Sequence, residues 1–347
     1  MSLGFGVVGC GMIARFHAKA ISEVPGAKLV GCSSRTRESA EKFAAETDCI
    51  AFENLEELLA DPSIHVVTIC TPSGDHLEPA VAAMRAGKHV LVEKPLEITV
   101  ERCDRILATA RECNVHVATI FPSRFQPCWQ VLRRAVQSGR FGTVSLGDAY
   151  VKWFRTQQYY DSGAWRGTWA LDGGGALMNQ AIHTVDLLLW LMGDVDAVTA
   201  FTATRGHERI EVEDIAVASL RFRSGALGVV EATTCSWPGQ LKRIEIHGTT
   251  GSAIVEENEI KHWEFSQPES SDEHVRRDFG VAPSTSGGAT DPRAIGHQNH
   301  AAQFREFVES IQAGLEPPLS GLEGRRSVEL ITAIYRAAQS GEVVRLG

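Results

Sequence analysis

Two stretches of this chain carry side chains able to handle protons at positions where local structure would present them. Glu93-Lys94-Pro95 follows the apolar run His89 to Val92, so Lys94 stands at the carboxyl end of an expected strand, and Pro95 is placed for a cis turn. There Lys94 is either an exposed loop lysine or a group that reaches a reacting hydroxyl. Asn179, His183 and Asp186 recur at spacings of four and three along Leu171 to Gly193, which puts them on one face of an expected helix. That stripe reads either as a buried histidine satisfied by its neighbours or as a site. The Gly173-Gly174-Gly175 entry, where another backbone or a ligand can come close, favours the site. Trp165-Arg166, preceded by Tyr159-Tyr160, could supply an aromatic wall and a cation, although aromatics in a sheet-rich region are more often core.

The elements that position Lys94 begin at the start of the sequence. Leu3 to Val8 is a short apolar strand, Met12 to Val24 has helical periodicity, and between them stands Gly9-Cys10-Gly11-Met12-Ile13-Ala14. Gly9 permits the tight turn, Gly11 lets backbone approach a phosphate, and Ala14 lets helix and strand pack, so a pyrophosphate is expected at the helix N-terminus. Strands and helices then alternate through Phe121, predicting a doubly wound parallel sheet over residues 1–122 with ligands at the strands' carboxyl ends. The expected dinucleotide contacts are Gly9, Cys10, Gly11, Met12 and Ile13, then Ser34, Arg35 and Thr36 after the second strand, and Thr71, Pro72, His76, Glu93 and Lys94 further on. Packing against backbone competes as a role for His76, as it does for His17.

After the second strand, NAD-binding folds usually carry a carboxylate for the ribose. This chain has Ser33-Ser34-Arg35-Thr36-Arg37, which removes a repulsion against a 2′-phosphate and offers hydroxyls and a guanidinium to it. NADP is therefore favoured, with NAD the alternative; Ser34 could also simply cap the next helix.

Residues 123–347 read differently, as antiparallel or apolar runs separated by turns: Thr143 to Phe154, Ala197 to Thr204, Glu213 to Arg221, Ala226 to Thr234, Arg243 to Gly248, Ser252 to Glu256 and Ile260 to Phe265. Ser266 to Asp291 reads as a long loop or flap, with His297 and His300 beside it, and two amphipathic helices close the chain. The expected fold is thus α/β, a Rossmann domain followed by a second α/β domain with a large, mostly antiparallel open sheet.

Composition excludes several classes. A formal charge of −9 argues against a nucleic-acid partner, and no apolar stretch is long enough to span a bilayer. Eight cysteines without CxxC or His/Cys clusters are expected to be reduced thiols in a cytoplasmic protein with no metal.

With these motifs in order, and with Thr71-Pro72, Arg124-Phe125, Glu323-Gly324-Arg325-Arg326 and Tyr335, the chain resembles the glucose-fructose oxidoreductase / inositol dehydrogenase (Gfo/Idh/MocA) family over essentially its full length. The resemblance implies an NAD(P)-dependent dehydrogenase acting on a secondary alcohol, or the matching ketone, of a sugar, polyol or nucleotide sugar. It implies homodimers or homotetramers that pair the open sheets. It maps the residues flanking the reacting carbon onto Lys94 and His183, and favours Trp165 and Arg166 at the substrate. Many members carry Asp where this chain has Asn179, which leaves His183 or Lys94 as the base. A cofactor-binding sensor of the same fold and a reductase of unsaturated or imine substrates are the competing readings.

Overall fold

The computed structural model describes residues 2–280 and 296–347. The chain divides into two units: Met1–Pro122 with Gly296–Val328, and Ser123–Ile295 with Glu329–Gly347.

The first unit holds a six-stranded parallel sheet in the order β3-β2-β1-β4-β5-β6. Its strands are β1 (Leu3–Val8), β2 (Ala27–Ser33), β3 (Ile50–Ala51), β4 (Val66–Ile69), β5 (His89–Val92) and β6 (Val117–Thr119). Helices α1 (Met12–Ser22), α2 (Arg37–Thr47), α3 (Leu55–Ala60), α4 (Leu77–Arg85) and α5 (Val100–Glu112) make the crossovers. Strand order reverses between β1 and β4, the switch point at which such sheets bind ligands. Every residue of β1 and of β4 is buried, as parallel strands covered on both faces require.

A single boundary at 122 does not describe the division. Gly296–Val328 returns to the first unit because the helix Gln298–Ala313 buries Phe304, Phe307 and Val308 against Leu3, Phe5, Ile21 and Ile120. The Gln303 side chain adds a clamp, its amide donating to Thr119 O (2.7 Å) while its oxygen accepts Phe121 N–H (3.0 Å).

The second unit is built on an eight-stranded sheet in the order β13-β12-β11-β7-β10-β9-β8-β14. The strands are β7 (Val144–Lys152), β8 (Val195–Ala203), β9 (Ile215–Phe222), β10 (Leu227–Thr233), β11 (Arg243–Gly248), β12 (Gly251–Glu256), β13 (Glu259–Phe265) and β14 (Val344–Arg345). All pairs are antiparallel except β7 with β10. Helix α6 (Pro127–Gln137) precedes the sheet, and a short α7 (Gln157–Asp161) follows β7. Helix α8 (Ile182–Met192) lies on β7 and β11; its sequence is apolar on nearly every side, which suits a helix covered all round.

The expected loop Ser266 to Asp291 is in part a helix, α9 (Ser270–Phe279). Glu269 and Asp272 cap its start reciprocally, and Asp272 also holds Arg140 and the Trp263 indole N–H. Residues 281–291 of that stretch lie outside the described residues. The closing helix is Gly321–Ser340.

Candidate active site

In the first unit the turn after β1 has the geometry its glycines require. Gly9 has φ +92°, and a Cβ there would lie 2.8 Å from the Cys70 carbonyl at the end of β4. A Cβ on Gly11 would meet nothing within 4 Å. Gly11 caps α1 with no side-chain hydrogen bond and no acidic residue follows in the first turn, so the helix opens with uncapped backbone donors beside empty space. That cradle fits a pyrophosphate. Cys10, Gly11, Met12 and Ile13 would hold it there through backbone N–H groups, while Gly9, whose N–H donates to Ser33 O (2.9 Å), shapes the turn beside it.

At the second strand, Thr36 rather than Ser34 caps α2, its Oγ1 accepting Ser39 N–H. Arg37 is committed to Glu41 and Glu53. Ser34 is half-buried, and Arg35 is exposed with no ion pair among the described residues.

From Val90 through Glu97, Lys94 alone reaches the surface. The Lys94–Pro95 peptide is cis. Glu93, expected at the cofactor, instead turns inward: its carboxylate takes His17 Nε2 at 2.7 Å and Lys94 N–H at 3.1 Å. Burial opposes ionisation of both partners, yet their contact outweighs it. His17, beside Cys70 and Glu93, is held up at about 10, and Glu93, bonded by His17, is held down at about 2. His300 joins them, so His17, Glu93 and His300 each offer a ligand atom within 4.8 Å of the others, all buried. His300 is buried against His17 and Phe16, and His297 bonds Glu23.

His76 was also expected at the cofactor. Its Nδ1 and Nε2 both lie against backbone carbonyls, of Pro95 (2.8 Å) and Thr71 (3.0 Å), so it staples the loops after β4 and β5 together. Thr71 Oγ1 donates to Asp75 O, which leaves the half-buried Thr71 and Pro72 as the edge beside the fingerprint.

In the second unit the expected single helix face is interrupted. Ala176–Ala181 forms a π-helical turn before α8 starts at Ile182, the kind of irregularity that recurs at functional sites. From Asp172 through Leu189, Asn179 and His183 are the two positions that reach the surface. Asp186 does not share their exposure; its carboxylate is buried and takes a two-pronged bond from Arg124 (2.8 and 2.6 Å).

Asn179 is wired into a polar network. Its amide nitrogen donates to the buried carboxylate of Asp172, which also accepts Gly167 N–H at 2.8 Å. Its amide oxygen accepts from Gln180 Nε2 (3.0 Å), which also reaches Tyr159 Oη (2.9 Å). Arg155 donates to Gln180 Oε1 (2.8 Å), and Arg166 donates to Tyr159 Oη (2.7 Å) while lying over the Tyr159 and Trp165 rings. Trp165 and Arg166 are half-buried at the rim of this network.

Beneath the turn lies Glu213, which sequence reasoning placed only in a strand. Its carboxylate accepts Gly175 N–H (2.9 Å), Leu177 N–H (2.8 Å) and the Tyr335 hydroxyl (3.0 Å), and its backbone oxygen accepts Ala176 N–H. A Cβ on Gly175 would lie 1.8 Å from that backbone oxygen, which is why the entry is glycine. Burial raises the Glu213 carboxyl to about 7, against the pull of these donors. The available signal was Glu213-Asp214, two carboxylates opening an apolar run.

A parallel sheet ordered about a switch point with an open helix N-terminus, together with a unit exposing one amide and one imidazole from a buried helix, is the architecture of a nicotinamide-dependent oxidoreductase. Residues 3–121 match the family model for oxidoreductases with an NAD-binding Rossmann fold, and residues 129–254 match the GFO/IDH/MocA C-terminal domain. The chain belongs to the GFO/IDH/MocA family of oxidoreductases. It is 30% identical to an uncharacterized oxidoreductase of Synechocystis over 277 residues, covering 76% of this chain and 74% of that one. It is 28% identical to the scyllo-inositol 2-dehydrogenase (NAD(+)) of Bacillus subtilis, covering 98% of this chain and 95% of the other. Among solved structures, the WlbA dehydrogenase of Bordetella pertussis in complex with NADH and UDP-GlcNAcA is 34% identical, with a TM-score of 0.89 over 100% of this chain and 99% of that chain.

Proposed function

We propose that this oxidoreductase interconverts a secondary alcohol and ketone of a sugar, polyol or nucleotide sugar, with Lys94, His183 and Asn179 as the residues at the reaction. The observation that carries this reading is selective exposure: Lys94 alone emerges from the buried run Val90 through Glu97, and Asn179 and His183 alone from Asp172 through Leu189. Oxidation of an alcohol needs a base for the hydroxyl proton as hydride leaves carbon, and the bound nicotinamide supplies the hydride acceptor. His183 is the base suited to neutral pH. Lys94 donates a hydrogen bond to the oxygen as it gains charge. Asn179, fixed by Asp172 and Gln180, presents a neutral amide held in one orientation.

Within that class we favour a substrate bearing an anionic group. Arg166, half-buried at the rim, reaches Asn179 through Tyr159 and Gln180, and the 34% identical WlbA dehydrogenase was solved with UDP-GlcNAcA. NADP is the favoured cofactor and NAD the alternative, since Arg35 has no ion pair among the described residues and no carboxylate follows β2 directly. The exposed face of the eight-stranded sheet carries the paired neighbours Phe201 and Val217, and Leu227 beside Leu146, which supports a homodimer or homotetramer. No helix among the described residues is long and apolar enough to cross a membrane, and all eight cysteines are free thiols, which supports a cytoplasmic setting.

The deciding experiment is a panel of sugars, inositols, and nucleotide sugars with and without a carboxylate, assayed at 340 nm with NAD and NADP. Lys94→Met and His183→Ala should abolish turnover of the best substrate while NADH binding, followed by fluorescence, persists. Unchanged turnover in both variants overturns the assignment of these residues.

A further inference from the structure

Cys10, Cys32 and Cys49 come from three separate stretches of the first unit: the turn after β1, the end of β2, and the residue before β3. The sheet gathers them. Val7 pairs with Cys32, and Gly31 and Cys32 pair with Ile50 and Ala51. Cys10 and Cys49 pack on the same apolar cluster that contains Cys32. The turn after β1 runs beside the end of β2, Gly9 N–H donating to Ser33 O (2.9 Å), so Cys10 lies next to the residue that follows Cys32. Cys32 is fully buried with Sγ 3.4 Å from Ala40 O, while Cys10 and Cys49 are partly exposed. Cys10 sits between the two fingerprint glycines, with Sγ 3.8 Å from Ser33 O.

We propose that Cys10 and Cys32 form a reversible dithiol–disulfide pair whose oxidation closes the dinucleotide site. The proposal rests on the fingerprint as the place where the dinucleotide binds. A partly exposed thiol with a lowered pKa beside a second, buried thiol is the arrangement found in redox-sensing cysteines. The neighbouring Cys32 is the main influence lowering the Cys10 thiol, against burial and with help from Ser34; it lowers Cys49 in the same way, to about 7, and what distinguishes Cys10 is its place between the fingerprint glycines. Cys10 also precedes the N-terminus of α1, where a thiolate is favoured. Cys32, shielded between two thiols, is pushed upward and keeps its proton until it resolves the intermediate.

With hydrogen peroxide as oxidant, the Cys10 thiolate attacks one peroxide oxygen, the O–O bond breaks and hydroxide leaves, giving Cys10 sulfenic acid. The Cys32 sulfur then displaces the sulfenic hydroxyl. An S–S bond forms, the S–O bond breaks, and the Cys32 proton leaves with hydroxide as water. Two thiols and one peroxide thus become one disulfide and two waters, and an external dithiol reverses the change. The bond pulls Cys10 toward Cys32. Gly9, at φ +92° and pressed against the Cys70 backbone, leaves the turn little freedom to compensate.

The test uses the whole protein, treated with hydrogen peroxide, then peptide mass mapping and NADH titration by fluorescence. We expect a Cys10–Cys32 linkage and an NADH affinity weakened by about tenfold or more, restored by dithiothreitol. Cys49→Ser should behave in the same way. Cys32→Ala should stop at a Cys10 sulfenic acid that dimedone traps, and NADH should slow alkylation of Cys10 by N-ethylmaleimide in untreated protein. A Cys32–Cys49 linkage instead, or a Cys10–Cys32 linkage with unchanged NADH affinity, overturns the proposal. Untreated protein that fails to bind any dinucleotide overturns the fingerprint reading instead.

Discussion

The carboxylate of Asp172 accepts a hydrogen bond from the side-chain amide of Asn179. A negative charge therefore stands one contact behind position 179, which itself presents a neutral amide. Asn179→Asp would set two carboxylates against each other with Asp172 only 1% exposed, so one of them must hold a proton. A carboxyl whose folded pKa is raised supports the fold at low pH and withdraws that support as pH rises through the folded value. The variant should lose about 1–3 kcal/mol at neutral pH and recover stability on acidification, measured by urea unfolding across pH. A loss that does not depend on pH would show that the two groups do not face each other.

Glu213 makes a related prediction without a mutation at the surface. Its carboxyl is raised to about 7 from an ordinary value of 4.5, so the folded state keeps a proton that the unfolded chain gives up. Its contribution is complete below pH 4.5 and falls as pH climbs to about 7. Glu213→Gln should flatten stability across that window. Because Glu213 anchors the turn bearing Asn179, the variant should lower kcat more than it raises KM, and Tyr335→Phe should produce a milder form of the same change.

The two fingerprint glycines should respond oppositely to a side chain. Gly11→Val enters space with no atom within 4 Å and should change Tm little while abolishing NADH binding. Gly9→Ala strains a residue at φ +92° against the Cys70 backbone and should lose about 1–3 kcal/mol of stability before any question of ligand arises. Calorimetry with and without NADH separates the two.

The buried His17–Glu93 pair has a defined working range. Glu93, lowered to about 2, supports the fold above pH 4.5 and loses that support as pH falls toward 2. His17, raised to about 10, supports it fully below pH 6.5 and loses that support as pH rises toward 10. Both contributions are complete only between about pH 4.5 and 6.5. His17→Phe should leave the Glu93 carboxylate buried and unpaired, costing about 3–5 kcal/mol near pH 6. The Lys94 loop should loosen with it, seen as faster amide exchange at Lys94, whose N–H bonds Glu93.

Arg35 tests the cofactor preference. Arg35→Ala should weaken NADPH by roughly tenfold while changing NADH by less than twofold, read by parallel fluorescence titrations. Equal weakening of both would assign Arg35 to the adenine rather than to a 2′-phosphate, and tighter NADH than NADPH binding in the unaltered protein would overturn the NADP reading.

Much of this molecule was readable in one dimension because the signals are local. The glycines at 9 and 11, the strand before them and the helix after them lie within about one βαβ half-unit, and alternation of apolar runs through Phe121 was enough to indicate a parallel sheet. Lys94 and His183 stood out for the same reason, one at a strand end and one in a helix after a glycine run. Only the tertiary structure decided what surrounds them. Glu213 meets Gly175 across 38 residues, His17 meets Glu93 across 76, and Gln303 reaches Phe121 across 182, separations that no periodicity registers. Such pairings engage the Glu93 carboxylate with His17, as the loops after β4 and β5 engage both ring nitrogens of His76, and the pairing of β1, β2 and β3 packs Cys10, Cys32 and Cys49 on one apolar cluster. A residue's type and spacing announce what it could do; which of its neighbours already occupies it is a property of the fold.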